Sequence, residues 1–171
     1  MKNLLTLFTI CACVALVSVH AQSVTTPPSG GNQKASVAQY MGLVKISIDY
    51  SSPDVTSPNG TDRRGKIWGS LVHHGMQNLG FGPAKESPWR AGANENTTIT
   101  FSHDVEVEGK KLAAGTYGLH MMTAEEGSQW TIIFSRNADA WGSYFYDPAD
   151  DALRVKVTPE KSAYHEWLTY S

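Results

Sequence analysis

Beyond its first 21 residues this chain has no cysteine, since Cys11 and Cys13 both lie in an apolar N-terminal run. That excludes disulfides, thiolate nucleophiles and cysteine-ligated zinc from the remainder. A basic excess is missing too: 14 Lys and Arg stand against 16 Asp and Glu, a formal net charge of −2. No broad positive field is available for nucleic acid or an anionic membrane, and neither partner is expected. Also absent are His-Glu-x-x-His, Gly-x-Ser-x-Gly, a phosphate loop, a dinucleotide glycine fingerprint and an EF-hand loop. Sites assembled from distant strands leave no such local motif, so enzymatic activity is disfavoured rather than excluded. No long segment of 3.6-residue periodicity follows residue 21. The apolar run itself, Leu4 to Val19, is shorter than the roughly twenty residues of a helical membrane span.

That run has the features of an export signal. Lys2 precedes it, and Val19-His20-Ala21 before Gln22 gives the small-x-small pattern of a cleavage site. The expectation is an exported chain, periplasmic or extracellular, cut near Ala21. Ile10-Cys11-Ala12-Cys13 resembles a lipoprotein processing site with Cys13 lipidated, but the apolar run continues past Cys13, which favours simple cleavage. Removing 21 of 171 residues leaves 150, and with Lys2 gone 13 basic residues face 16 acidic ones, formally −3. Residues 22–34 are rich in Ser, Thr, Pro, Gly and Asn and cannot bury enough apolar surface to offset ordering, so they read as a flexible leader. Residues 35–171 suit one domain with one core.

Within that domain the dominant period is two. Val44, Ile46, Ile48 and Tyr50 alternate with Lys45, Ser47 and Asp49, and Ile99 and Phe101 alternate with Thr98 and Thr100. Val105 and Val107 lead into a hairpin turn at Glu108-Gly109-Lys110-Lys111. Tyr117, Leu119 and Met121 form another apolar face, as do Trp130, Ile132 and Phe134, then Leu153, Val155 and Val157; Trp167 to Tyr170 reads as a last strand. Such strands, separated by Gly, Pro, Asn and Asp, predict an all-β fold, an antiparallel β-sandwich of jelly-roll-like or immunoglobulin-like type. Gly115-Thr116-Tyr117 fits a sheet corner filled by the tyrosine ring. Two long loops, about 51–66 and 73–96, are the places where function tends to sit.

The second loop ends in the densest polar cluster of the chain, Trp89-Arg90-Ala91-Gly92-Ala93-Asn94-Glu95. A planar cation, an amide and a carboxylate beside an aromatic ring make Trp89, Arg90, Asn94 and Glu95 ligand-binding candidates, joined by His120. The alternative is a loop clamp in which Arg90 pairs with Glu95 and the Thr97, Thr98 and Thr100 hydroxyls close turns and cross-strand bonds. Either reading places Arg90 and Glu95 close together. His73, His74 and His120 are weak metal-ligand candidates of unspecific spacing. By strand parity His120 lies opposite the Tyr117 and Leu119 face, towards solvent or a cleft. Asp147-Pro148-Ala149-Asp150-Asp151 reads as a turn before a calcium site. The aromatics Trp141, Tyr144 and Tyr146, with Trp68 and Trp89, read as packing before a sugar-stacking surface.

Lys66-Ile67-Trp68-Gly69, the Trp89 to Phe101 block, Glu108 to Leu112 with Ala114 to Tyr117, Trp130 to Phe134, Trp141-Gly142 and Leu153 to Val157 together resemble the bacterial exported family called domain of unknown function 2911. The resemblance runs from about Ala35 to Ser171. It implies a secreted or periplasmic β-rich domain, and it carries no activity across. Against the family pattern, the stretch from His73 to Ser87 is long, and the pattern continues past Ser171, which implies a sheet short of its last strands with an exposed edge.

Taken together these readings favour a non-enzymatic binding module for a small polar or carbohydrate-like ligand or a partner, with no cofactor. The alternatives are a metal-assisted hydrolase using Glu95 and the histidines, and a purely structural envelope protein, which predicts no pocket beside Arg90.

Overall fold

Alternating side chains build eight strands in the computed structural model of the chain, which describes residues 31–171. The expected signal segment 1–21, both cysteines and residues 22–30 of the expected leader lie outside the described residues. The strands are β1 (Gln33–Met41), β2 (Val44–Ser52), β3 (Thr97–Phe101), β4 (Val105–Val107), β5 (Lys110–Leu112), β6 (Gly115–Met122), β7 (Trp130–Ser135) and β8 (Asp151–Val157). Six of them form one antiparallel sheet in the order β1-β2-β3-β6-β7-β8, and β4 and β5 form a separate hairpin. Strand neighbours are sequence neighbours apart from that excursion. The large sheet is therefore a meander, and the Greek-key connection common in sandwiches is not found among the described strands.

The pairing registers put Ile48 opposite Ile99, Ile99 opposite Tyr117, Leu119 opposite Phe134 and Ile132 opposite Val155. One face of the sheet is thereby apolar, as the alternation predicts. The hairpin β4–β5 closes on it, with Val105, Val107 and Leu112 packing into the cluster formed by Ile99, Phe101, Tyr117, Leu119, Phe134 and Val155. The fold is thus all-β with two layers of unequal size. The turn between β4 and β5 uses positive φ at both Glu108 (49°) and Gly109 (72°), the geometry that a two-residue hairpin loop demands. The corner tyrosine also forms: Tyr117 is buried and its hydroxyl donates to the Ala113 carbonyl at 2.9 Å.

Three features differ from the sequence reading. Gln33 and Lys34 belong to β1, so strand structure begins two residues before the expected boundary at Ala35. Small and polar β1 residues carry little apolar signal; β2 holds them in nine consecutive pairs. Second, Trp167 to Tyr170 is not a strand. Only Trp167 makes a bridge, to Asp54, while Leu168 N–H donates to the Pro53 carbonyl at 3.0 Å. Tyr170 then seats its ring 4.8 Å from that of Tyr50. Third, the other face of the sheet is not uniformly wet. Over β6 and β7 it is covered by residues 136–150, so that Ile133 has no exposure at all and His120 only 2 %. Asp147 lies in that cover as an ordinary turn, its carboxylate accepting from Ala149 N–H at 2.9 Å.

Candidate functional site

Residues 53–96 connect β2 to β3 as one long irregular segment pinned by isolated bridges. Trp89 is the last of these, exchanging backbone bonds of 2.9 and 2.8 Å with Met121. Thr97 then pairs with Leu119, two residues back on the same strand. Trp89 and Thr97 therefore stand on one ladder line along β6, and residues 90–96 are a short excursion from it. The polar cluster found in the sequence is that excursion.

Most of it is committed to holding itself in place. Arg90 Nη1 donates to the Asn94 carbonyl at 2.6 Å, and its guanidinium lies 4.5 Å over the Tyr144 ring. Trp89 Nε1 donates to the Gly92 carbonyl at 3.2 Å. Ala91 is fully buried, with its carbonyl receiving the hydroxyls of Tyr170 at 2.6 Å and Thr97 at 3.0 Å. Ala93 N–H donates to Ser51 O and Asn96 N–H to Ala140 O. The turn needs positive φ at Ala91 (54°) and Asn94 (60°); asparagine adopts that region readily, whereas the alanine is held there by its buried contacts. At Gly92 a Cβ would sit 2.6 Å from Thr97 Oγ1 and 3.1 Å from Ser51 O, so only glycine fits between loop and strand.

Contrary to the expected pairing, Arg90 and Glu95 do not meet. Glu95 instead takes the Lys34 ammonium at 2.6 Å and the Ser51 hydroxyl at 3.2 Å. Partial burial raises the Glu95 carboxyl, but Lys34, a backbone donor and Ser51 together hold it below the usual carboxylate range. An arginine with a carbonyl and an aromatic face already satisfied has no need of that carboxylate, and strand pairing delivers Lys34 from a distant part of the chain.

Glu95 opens on a cleft of about 490 Å³ on the polar face of the sheet. Lys34, Ser36, Asp49 and Thr98 contribute from the strands, Glu95 and Asn96 from the excursion, and Ala138, Asp139 and Ala140 from the facing segment. Asn96 is buried, with Nδ2 donating to Asn137 O at 2.9 Å and Oδ1 left without a partner. The cleft holds three carboxylates, Asp49, Glu95 and Asp139, against Lys34 as its single cation. The sequence reading of the site included none of Lys34, Asp49 and Asp139, and took Thr98 only as a clamp hydroxyl. Asp49 and Thr98 were visible as the wet positions of alternating strands; Asp139 left no local signal.

The remaining candidates lie apart. His73 Nε2 bonds the Ser87 carbonyl at 2.8 Å, and His74 Nδ1 the Thr123 hydroxyl at 3.0 Å. His120 faces away from Tyr117 and Leu119, as parity requires, yet it meets neither solvent nor a cleft: Nδ1 bonds Ser143 Oγ at 2.9 Å, beneath the Tyr146 ring at 5.4 Å. Among the described residues no three His, Cys, Asp or Glu side chains come together as a metal site. Trp68, 51 % exposed, packs edge-on against Trp89 at 5.7 Å and tilted against Trp130 at 5.0 Å. No described helix is long and apolar enough to cross a membrane.

Burial, reinforced by the nearby Arg90 charge, depresses the His120 pKa to about 4. Its folded value thus lies below its unfolded one of 6.5, so the stabilisation is complete above pH 6.5 and is lost as pH falls towards 4. Linkage predicts a loss of roughly 3 kcal/mol across that window. Urea unfolding at successive pH values checks this, and His120→Gln should flatten the slope between pH 6.5 and 5.

No curated protein and no solved structure matches the chain. A family model described as a protein of unknown function does match, over residues 32–171. The chain therefore belongs to the family DUF2911.

Proposed function

We propose that this protein is a non-enzymatic binding module, exported from the cell, that takes a small polar ligand in the cleft walled by Glu95 and Asn96. The observation that carries this reading is the separation of roles within one short segment. Arg90, Trp89 and Asn94 close the loop on itself, whereas Glu95, bonded to Lys34 and Ser51, lines the open cleft together with Asp49 and Thr98. A cleft with three carboxylates and one lysine favours ligands rich in hydrogen-bond donors, above all those carrying an amine. The metal-assisted alternative finds less support, because its three histidines each bond a different residue and none lines the cleft.

Glucosamine and glucose serve as probes that differ by one ammonium group. In calorimetric titration glucosamine should bind more tightly, and Glu95→Gln should weaken it about tenfold, the equivalent of ~1.4 kcal/mol. Equal, immeasurably weak binding of both sugars would count against the cleft as an amine-binding site.

A further inference from the structure

The large sheet has β1, the first strand, at one of its edges. Among the described residues β1 pairs with β2 and nothing else. Which of its backbone groups face outward follows from the next strand. Ser51 O accepts from Ala93 N–H and Lys45 O from Ser102 N–H, so Lys45, Ser47, Asp49 and Ser51 aim their backbone bonds towards the β3 side. The intervening residues of β2 bond Gln33, Ala35, Val37, Gln39 and Met41. Lys34, Ser36, Ala38 and Tyr40 are left with N–H and C=O directed away from the sheet.

Exposed edges are normally guarded by charges, proline, bulges or short length. β1 has nine residues, no proline and an unbroken register with β2. Its single charge, Lys34, is tied to Glu95 at 2.6 Å rather than standing guard. At the far end of the strand the hairpin leaves Tyr40 66 %, Met41 57 % and Leu43 87 % exposed, so that apolar side chains stand on both faces beside the open edge.

We infer that β1 pairs antiparallel with β1 of a second copy of this chain, about a two-fold axis through Val37. That register sets Ser36 against Ala38 of the partner subunit and Lys34 against the partner's Tyr40. Each pair exchanges two backbone bonds, ~8 in all. No like charges oppose each other, because Lys34 is the only charge on the strand and it meets an aromatic ring. Val37 meets the partner's Val37 on the apolar face, so the core layer continues across the seam. Lys34 and Ser36 also line the cleft, so the partner's Tyr40 comes to stand at its open side. The pairing itself does not depend on what the cleft binds.

Strand pairing alone buries less than about 1,200 Å² in total, the range of weak complexes, so association should be micromolar. Sedimentation velocity of the purified protein from ~1 to ~300 µM should show the mass doubling over that range. Ala38→Pro deletes an outward N–H without touching the β2 ladder, and Val37→Lys places two ammonium groups at the axis; each should weaken association at least tenfold. Ser36 and Ala38 amides should be protected from hydrogen exchange only at high concentration. A monomer throughout the range would overturn the inference, as would a dimer indifferent to both variants. So would a monomer with those two amides protected, because another segment of the same chain would then occupy the edge.

Discussion

Replacing Arg90 with alanine is expected to lower stability by about 3 kcal/mol, a large loss for a side chain first read as a ligand contact. Two contributions add. The charge-assisted bond to the Asn94 carbonyl closes the excursion across four residues, and the guanidinium stacks on Tyr144, whose own segment covers the polar face. Gly142 leaves room for that stack: its φ is positive at 59°, and a Cβ there would run into the Arg90 guanidinium. Arg90→Lys should recover less than half of the loss, since an ammonium cannot both stack flat on the ring and hold the carbonyl in one plane. Equilibrium urea unfolding measures both variants. A loss below ~0.5 kcal/mol for Arg90→Ala, the level of an ordinary surface substitution, would return Arg90 to the ligand-binding column.

Ile133→Ala should cost still more, about 4 kcal/mol, although strand parity puts Ile133 on the face that alternation alone would leave wet. Its exposure is zero because residues 136–150 fold back over β7, with Ser143 bonded to His120 and its carbonyl receiving the Ser87 hydroxyl at 2.7 Å. Removing the side chain opens a cavity beneath a polar network that cannot collapse without breaking its own hydrogen bonds. A cost under ~1 kcal/mol, with the denaturant slope unchanged, would mean that this half of the polar face meets water.

These two residues mark the boundary of what the sequence discloses. Period-two alternation identified six of the eight strands, because an apolar face on a pleated strand repeats every second residue whatever its partners are. It also gave the correct side of the sheet for His120. It could not give the cover, since burial of His120 depends on Ser143 and Tyr146, which arrive by a separate turn of chain. The same limit explains the site. Nearest-charge reasoning paired Arg90 with Glu95, five residues away, whereas the fold supplies Tyr144 to one and Lys34 to the other. Lys34 was hidden further by its small, polar neighbours, whose strand conformation is imposed by β2 rather than by any pattern of their own. Gly92 belongs to the same limit: the Thr97 hydroxyl and Ser51 carbonyl that leave room only for glycine are brought to it by strand pairing.

The division of the 89–97 segment into a clamp and a cleft wall is tested most directly by one titration followed in nitrogen–proton correlation spectra. With glucosamine added, the backbone amides of Lys34, Asp49, Glu95, Thr98 and Asp139 should shift together, while the Arg90 Nε–H and Trp89 Nε1–H signals stay fixed. Movement of the Arg90 and Trp89 side-chain signals, with the cleft amides unmoved, would contradict the account.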